Sequence, residues 1–174
     1  PPLQDAAMLY DSGNNRVYLF GGTTAKTKTG GQSNGLYMLD LNTAPATWSQ
    51  LTPAGGPSAR WGMSACFSYN GAAVRSMWVF GGEGSTKNSE LWELDLQSGP
   101  PGTWSLRSTS GGPDAREGAA MGWDSRRNRI LVVGGKNAAV VFADCDFQVA
   151  VDTVTRSCFE NAGQVCLGTE RVYV

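Results

Sequence analysis

The stretch Arg16-Val17-Tyr18-Leu19-Phe20-Gly21-Gly22 decides the fold, because it returns twice. Met77-Trp78-Val79-Phe80-Gly81-Gly82 and Arg129-Ile130-Leu131-Val132-Val133-Gly134-Gly135 repeat its form, an aliphatic and aromatic run closed by two glycines. The first glycines, Gly21, Gly81 and Gly134, stand 60 and 53 residues apart. Three more landmarks keep the same order. Leu36-Tyr37-Met38-Leu39-Asp40-Leu41 returns as Leu91-Trp92-Glu93-Leu94-Asp95-Leu96, 55 residues on. Thr47-Trp48-Ser49 returns as Thr103-Trp104-Ser105, 56 residues on. Gly55-Gly56-Pro57-Ser58-Ala59-Arg60 returns as Gly111-Gly112-Pro113-Asp114-Ala115-Arg116, again 56 residues on. Chance is a poor account of four landmarks that keep one order and nearly one spacing, so the chain is an array of repeats.

Each unit reads as four strands bounded by Gly, Pro, Asn or Ser; in the second they span about residues 61–69, 76–81, 90–96 and 103–107. A glycine pair at a strand end permits positive φ and close backbone approach. The recurring Trp offers an apolar plate for packing one sheet on the next, so Trp48 and Trp104 are expected in the core. Arg60 and Arg116, at the junctions between units, are expected to bond backbone or carboxylate within each unit, with a ligand role as the alternative. The loop 23–34, rich in Thr, Lys and Gly, is long enough to reach over a face and meet a partner.

Composition narrows the class. Apolar residues at 41% against 17% charged describe a globular chain, and 23 Gly with 8 Pro are too many for a helical protein of 174 residues. A net charge of −1 signals no basic face, which argues against nucleic acid as partner. No apolar run is long enough to span a bilayer. The opening Pro1-Pro2-Leu3-Gln4-Asp5 has no Met and no leader-like segment, and is read as a processed start or part of a longer protein. Histidine is absent, which removes the commonest metal ligand and the commonest general base, so no metal site is expected. Cys66, Cys145, Cys158 and Cys166 form no CxxC pair and no disulfide framework. Reduced thiols fit them better and lean toward a cytoplasmic setting, while the compartment itself stays open.

The four landmarks resemble the kelch repeat: Gly-Gly after the second strand, Tyr or Trp in the third, Trp in the fourth, and a Pro-x-x-Arg turn. The resemblance covers about residues 3–135 and implies four-stranded blades arranged radially. The fold expected is therefore mostly β, an incomplete kelch β-propeller of about two and a half four-stranded blades with a short C-terminal α/β-like segment. Residues 1–135 are assigned to the blades. About two and a half blades do not close a ring that takes about four to eight. The open faces call for self-association, a covering partner or a longer parent. A copper site of the kind one kelch-type enzyme builds from His ligands does not carry over to a chain without His.

After Gly135 the pattern changes. Residues 147–159 place Phe147, Val151, Val154 and Cys158 at helical spacing, and 171–174 read as a closing strand. Gly134-Gly135-Lys136-Asn137, the run Val141-Phe142-Ala143-Asp144-Cys145-Asp146, and Ser157-Cys158-Phe159-Glu160-Asn161-Ala162-Gly163-Gln164-Val165-Cys166 resemble the catalytic-cysteine region of aldehyde dehydrogenase in order and spacing. The resemblance implies Cys166 as the nucleophile that forms a thiohemiacetal, with NAD(P) as cofactor. Val132 stands where that family has a general-base Glu, and neither a dinucleotide-binding fold nor the Asn that polarises the aldehyde is found upstream. The two resemblances meet at Gly134-Gly135, a pair both motifs need, which reads as a fusion point.

Cys145 and Cys158 read as packing residues. Lys136-Asn137 lacks Walker spacing for a phosphate loop, and Asp144 with Asp146 reads as a solvated turn. Residues 136–174 are taken as an appended segment without a fold of its own, and 140–142 are expected to add a third strand to the last blade. Two functions are carried forward. One is a kelch-type protein-binding or assembly module without catalysis or cofactor, acting through blade faces and loops. The other is an NAD(P)-dependent aldehyde, or semialdehyde, dehydrogenase that uses Cys166.

Overall fold

A computed structural model describes residues 2–25, 30–71, 73–107, 112–134, 138–140 and 171–173. Every regular element among them is a strand. Ala7–Asp11 (β1), Arg16–Phe20 (β2), Leu36–Asp40 (β3) and Thr47–Leu51 (β4) form a four-stranded antiparallel meander. Ser64–Asn70 (β5), Ala73–Phe80 (β6), Leu91–Asp95 (β7) and Thr103–Arg107 (β8) form a second, with a register shift between Ser68 and Tyr69. Ala119–Asp124 (β9) and Arg129–Gly134 (β10) pair as the first half of a third. The expected two and a half blades are thus present. In the second blade β8 matches its expected bounds, and β6 and β7 lie inside or close to theirs.

The glycine pairs do what their chemistry allows. Gly21 and Gly22 have φ of 69° and 92°, and Gly81 and Gly82 have 69° and 85°. In each pair the second amide donates to the junction arginine of the next blade, Gly22 to the Arg60 carbonyl at 2.9 Å and Gly82 to that of Arg116 at 2.8 Å. A Cβ on Gly21 would stand 2.8 Å from the Arg60 oxygen, and one on Gly81 2.5 Å from that of Arg116. The pair is therefore the backbone clasp between blades, and only glycine fits it.

Register sorts the side chains into faces, since directly paired residues share a side and neighbours alternate. On one face of blade two, Phe67, Met77, Leu94 and Trp104 align across four strands. They meet Tyr18, Phe20 and Leu36 from the facing side of blade one and form the core. Tyr18 meets the Phe67 ring edge-on at 5.7 Å, and Phe20 meets Trp104 at 5.3 Å between centroids. The opposite face of blade two turns to the half-blade.

Two expectations need correction. Trp48 is not core: it is 47% exposed, whereas its repeat equivalent Trp104 is 7% exposed. Trp104 is covered by the preceding blade, and among the described residues no blade covers Trp48 in the same way. Ala138–Val140 (β11) does not extend the third blade. It pairs in parallel with Arg171–Tyr173 (β12), Val140 opposite Tyr173, in a sheet separate from β9 and β10. A parallel pair needs a crossover connection, so β11 is committed to a chain segment about thirty residues away and not to the adjacent β10. The closing strand is present over Arg171–Tyr173. The expected helix over 147–159, residues 141–142, and Cys145, Cys158 and Cys166 lie outside the described residues.

Candidate functional site

Among the described residues this incomplete stack leaves open surfaces, two of which lie against the complete blades. The first is the outer face of blade one. Tyr10, Val17, Leu39 and Trp48 align across its four strands, with Met8 and Leu19 one step along on the same side. Met8 is 66% exposed and Tyr10 53%. The equivalent face of blade two is the one buried in the core, so this is core-type surface facing water.

The second is a groove of about 570 Å³ between blade two and the half-blade. Trp78, Leu91, Glu93 and Arg107 line one wall, with Trp123 and Ile130 across from them. By register it is the seat that a third and fourth strand of blade three would fill. At the first junction a smaller space of about 220 Å³ lies beside Leu36, Leu51 and Trp104.

The two seats differ in chemistry. Blade one presents Met38 and Leu51 where blade two presents Glu93 and Arg107. The Glu93 carboxylate is largely buried and fully engaged. It accepts from Ser76 Oγ at 2.6 Å and from Arg107 Nε at 2.8 Å and NH2 at 2.5 Å. Beside it the Trp78 indole donates to Ser68 Oγ at 2.9 Å. Blade two therefore turns a satisfied polar network toward the groove.

Arg60 has the structural role expected of it. It is fully buried, donating from Nε to the Ser58 carbonyl, from NH1 to the Gly81 carbonyl, and from NH2 to Ser58 Oγ, each at 3.0 Å. NH2 also reaches Glu90 Oε2 at 2.5 Å, and Glu90 accepts from the Trp92 indole at 3.0 Å. Arg116 donates from Nε to the Asp114 carbonyl at 3.0 Å. Loop 23–34 is tied at its base, where buried Thr23 bridges Gln4 and Gln32 and donates from Oγ1 to the Gly30 carbonyl at 2.9 Å. Residues 26–29 of that loop lie outside the described residues.

Burial pushes Glu90 up, but hydrogen bonds from Arg60 and Trp92 outweigh it and hold the carboxyl below its ordinary 4.5. A group depressed in the folded state contributes stability above its unfolded pKa and loses it as pH falls through the folded value. The urea midpoint is expected to drop with acidification below pH 4.5. Glu90→Gln should flatten that part of the pH profile and lower the midpoint at neutral pH, which urea titration at several pH values would measure.

Among the described residues no group of three or more Cys, Asp or Glu is placed to hold a metal ion, and no helix is long and apolar enough to cross a membrane. Cys66 is buried beneath the half-blade side of blade two, and burial pushes its thiol up to about 12, which leaves it a poor nucleophile. Sequence reading missed Glu90 and the paired Asp-Arg turns. Asp11-Ser12 and Asn15-Arg16 recur as Asp124-Ser125 and Asn128-Arg129, with Asn15 and Asn128 at φ 53° and 52°. In both, the Asp carboxylate accepts backbone amides of its own turn, and the repeated Asp-Ser-x-x-Asn-Arg pattern is the signal that would have found them.

A short stretch of the chain is similar to aldehyde dehydrogenases. Identity is 62% over 48 residues with 2-hydroxymuconic semialdehyde dehydrogenase of Pseudomonas putida, 28% of this chain and 10% of that protein. It is 48% over 44 residues with 2-aminomuconic semialdehyde dehydrogenase of Danio rerio, 25% and 9%. The chain thus spans about a tenth of the length of these curated relatives. The solved structure of YjhT matches 78% of this chain and 35% of its own, at 20% identity and a TM-score of 0.54, which speaks for the fold alone. The KLHDC2/KLHL20/DRC7 Kelch-repeats domain family matches residues 1–166, and such domains typically mediate protein interactions, which supports a protein-binding module. With the repeat landmarks, the clasped blades and this match in agreement, the chain belongs to the kelch-repeat family.

Proposed function

We propose that the chain is a protein-binding or assembly module that works without catalysis or a cofactor, through its blade faces and loops. The observation that carries this reading is the uncovered face of blade one, where Met8, Tyr10 and Trp48 hold core-type positions at the surface. Apolar sheet left open in this manner is stabilised by a covering surface. Residues 1–135 supply the blades in this reading, and 136–174 are an appendage.

A second reading rests on the 62% identity with a semialdehyde dehydrogenase. In it the Cys166 thiolate would add to the semialdehyde carbonyl, NAD(P)+ would supply the hydride acceptor that turns the thiohemiacetal into a thioester, and water would release the acid and restore the thiol. Two features favour the first reading: the valine at 132 in place of a general base, and the kelch blades that occupy the residues before it. Groups that act as a unit lose orders of magnitude in rate when members are missing. The discriminating measurement is aldehyde-dependent reduction of NAD+ and NADP+, with Cys166→Ser as control. Equal background from both proteins is expected. Turnover that disappears in Cys166→Ser would overturn the non-catalytic reading.

A further inference from the structure

We infer that a second copy of this chain covers the open face of blade one, and that it does so head to tail with the outer side of its own half-blade. The inference deepens the assembly reading above and rests on it.

The structure already contains one example of what covers such a face. On blade two, the side carrying Phe67, Met77, Leu94 and Trp104 is buried by the side of blade one carrying Tyr18, Phe20 and Leu36. Counting back from the glycine pairs, Tyr18 and Phe20 of blade one correspond to Leu131 and Val133 of the half-blade. Leu131 and Val133 alternate with Ile130 and Val132, so they point away from blade two. Val133 is 37% exposed, and Ala120, paired with it across the hairpin, is exposed as well.

The chain thus presents both halves of the contact it uses internally. One end shows the receiving face, Met8, Tyr10 and Trp48; the other shows the covering face, Ala120, Leu131 and Val133. The two lie on the first and last blades of the described stack, with blade two between them, so the contact joins separate chains. A contact of this kind joins unlike surfaces, unlike a two-fold dimer in which a patch meets itself. It closes into a ring if the rotation per chain allows and otherwise grows as a filament. The covering side also repeats the charges of the first junction: Arg129 pairs with Asp124 at the hairpin end of the half-blade, where blade one pairs Arg16 with Asp40 beside buried Asp11.

The test uses the full chain with each face spoiled in turn. Tyr10→Asp with Trp48→Asp removes the receiving face; Val133→Asp, or Ala120→Lys at an exposed site should Val133→Asp unfold, removes the covering face. Mass in solution is measured against concentration for each protein alone and for equimolar mixtures. The wild type is expected to rise above monomer mass with concentration. Each variant alone should associate at least about ten-fold more weakly. Mixed, the two variants should recover a discrete heterodimer, since each keeps the face the other lacks. Three results overturn the inference: a wild type that stays monomeric, a covering-face variant that still pairs with itself as well as wild type does, or mixtures that stay monomeric. None of these touches the assembly reading, which fails separately if Cys166-dependent aldehyde oxidation is found.

Discussion

Replacing Arg60 with methionine is expected to cost about 3–5 kcal/mol of folding stability, the size seen when one partner of a buried ionic network is removed. The guanidinium is fully buried and makes four hydrogen bonds, to Ser58 twice, Gly81 and Glu90. Methionine fills most of the volume and supplies no donor. The Gly81 carbonyl is then left inside without that donor, at the residue that clasps the next blade. Glu90 is 39% exposed and regains water, so its share of the loss is the smaller one. Lysine does not rescue, because a point charge cannot reproduce the planar fork. For a domain stable by roughly 5–15 kcal/mol, a loss this large moves the urea midpoint by about 1 M or more. Arg116→Met, at the equivalent but partly exposed position, should cost clearly less. An equal loss at the two sites would refute the account of Arg60 as the buried clamp.

Trp104→Ala is expected to cost about 3–5 kcal/mol, while Trp48→Ala stays within about 1 kcal/mol. The two occupy one place in the repeat. Trp104 is 7% exposed against Phe20, and its ring lies where a Cβ on Gly56 would approach within 2.9 Å. Trp48 is 47% exposed, so its removal opens no cavity. Urea unfolding of the two variants at low protein concentration, where chains are apart, reads the difference directly. If association covers Trp48, the gap between them should shrink as concentration rises.

These paired variants also mark what could be read from the residues alone. Gly21-Gly22 and Gly81-Gly82 announced both the strand ends and the close approach, because a requirement for positive φ is written in residue type. The same holds for Arg60, whose recurrence as Arg116 pointed to a role inside the repeat. Trp48 was misplaced because burial depends on a neighbour, and a repeat unit looks the same whether or not another stands beside it. The pairing of Val140 with Tyr173 was out of reach for a related reason: β11 is three residues long and carries no register signal that prefers β10 to a distant strand. Glu90 lies thirty residues from Arg60, and nothing in the local pattern links them. The groove residues Glu93 and Arg107 stand where blade one has Met38 and Leu51, a departure from the repeat visible in sequence, although only register shows that they share one seat.

That substitution of an ion pair for two aliphatic side chains gives the stack an address system. A blade whose plate is built to rest on grease would, if it landed on blade two, have to strip water from the half-exposed Arg107 guanidinium and offer it nothing in return. Misthreaded or slipped arrangements of near-identical sheets are thereby made unequal in energy, so the order in which the sheets assemble is held by chemistry as well as by chain connectivity.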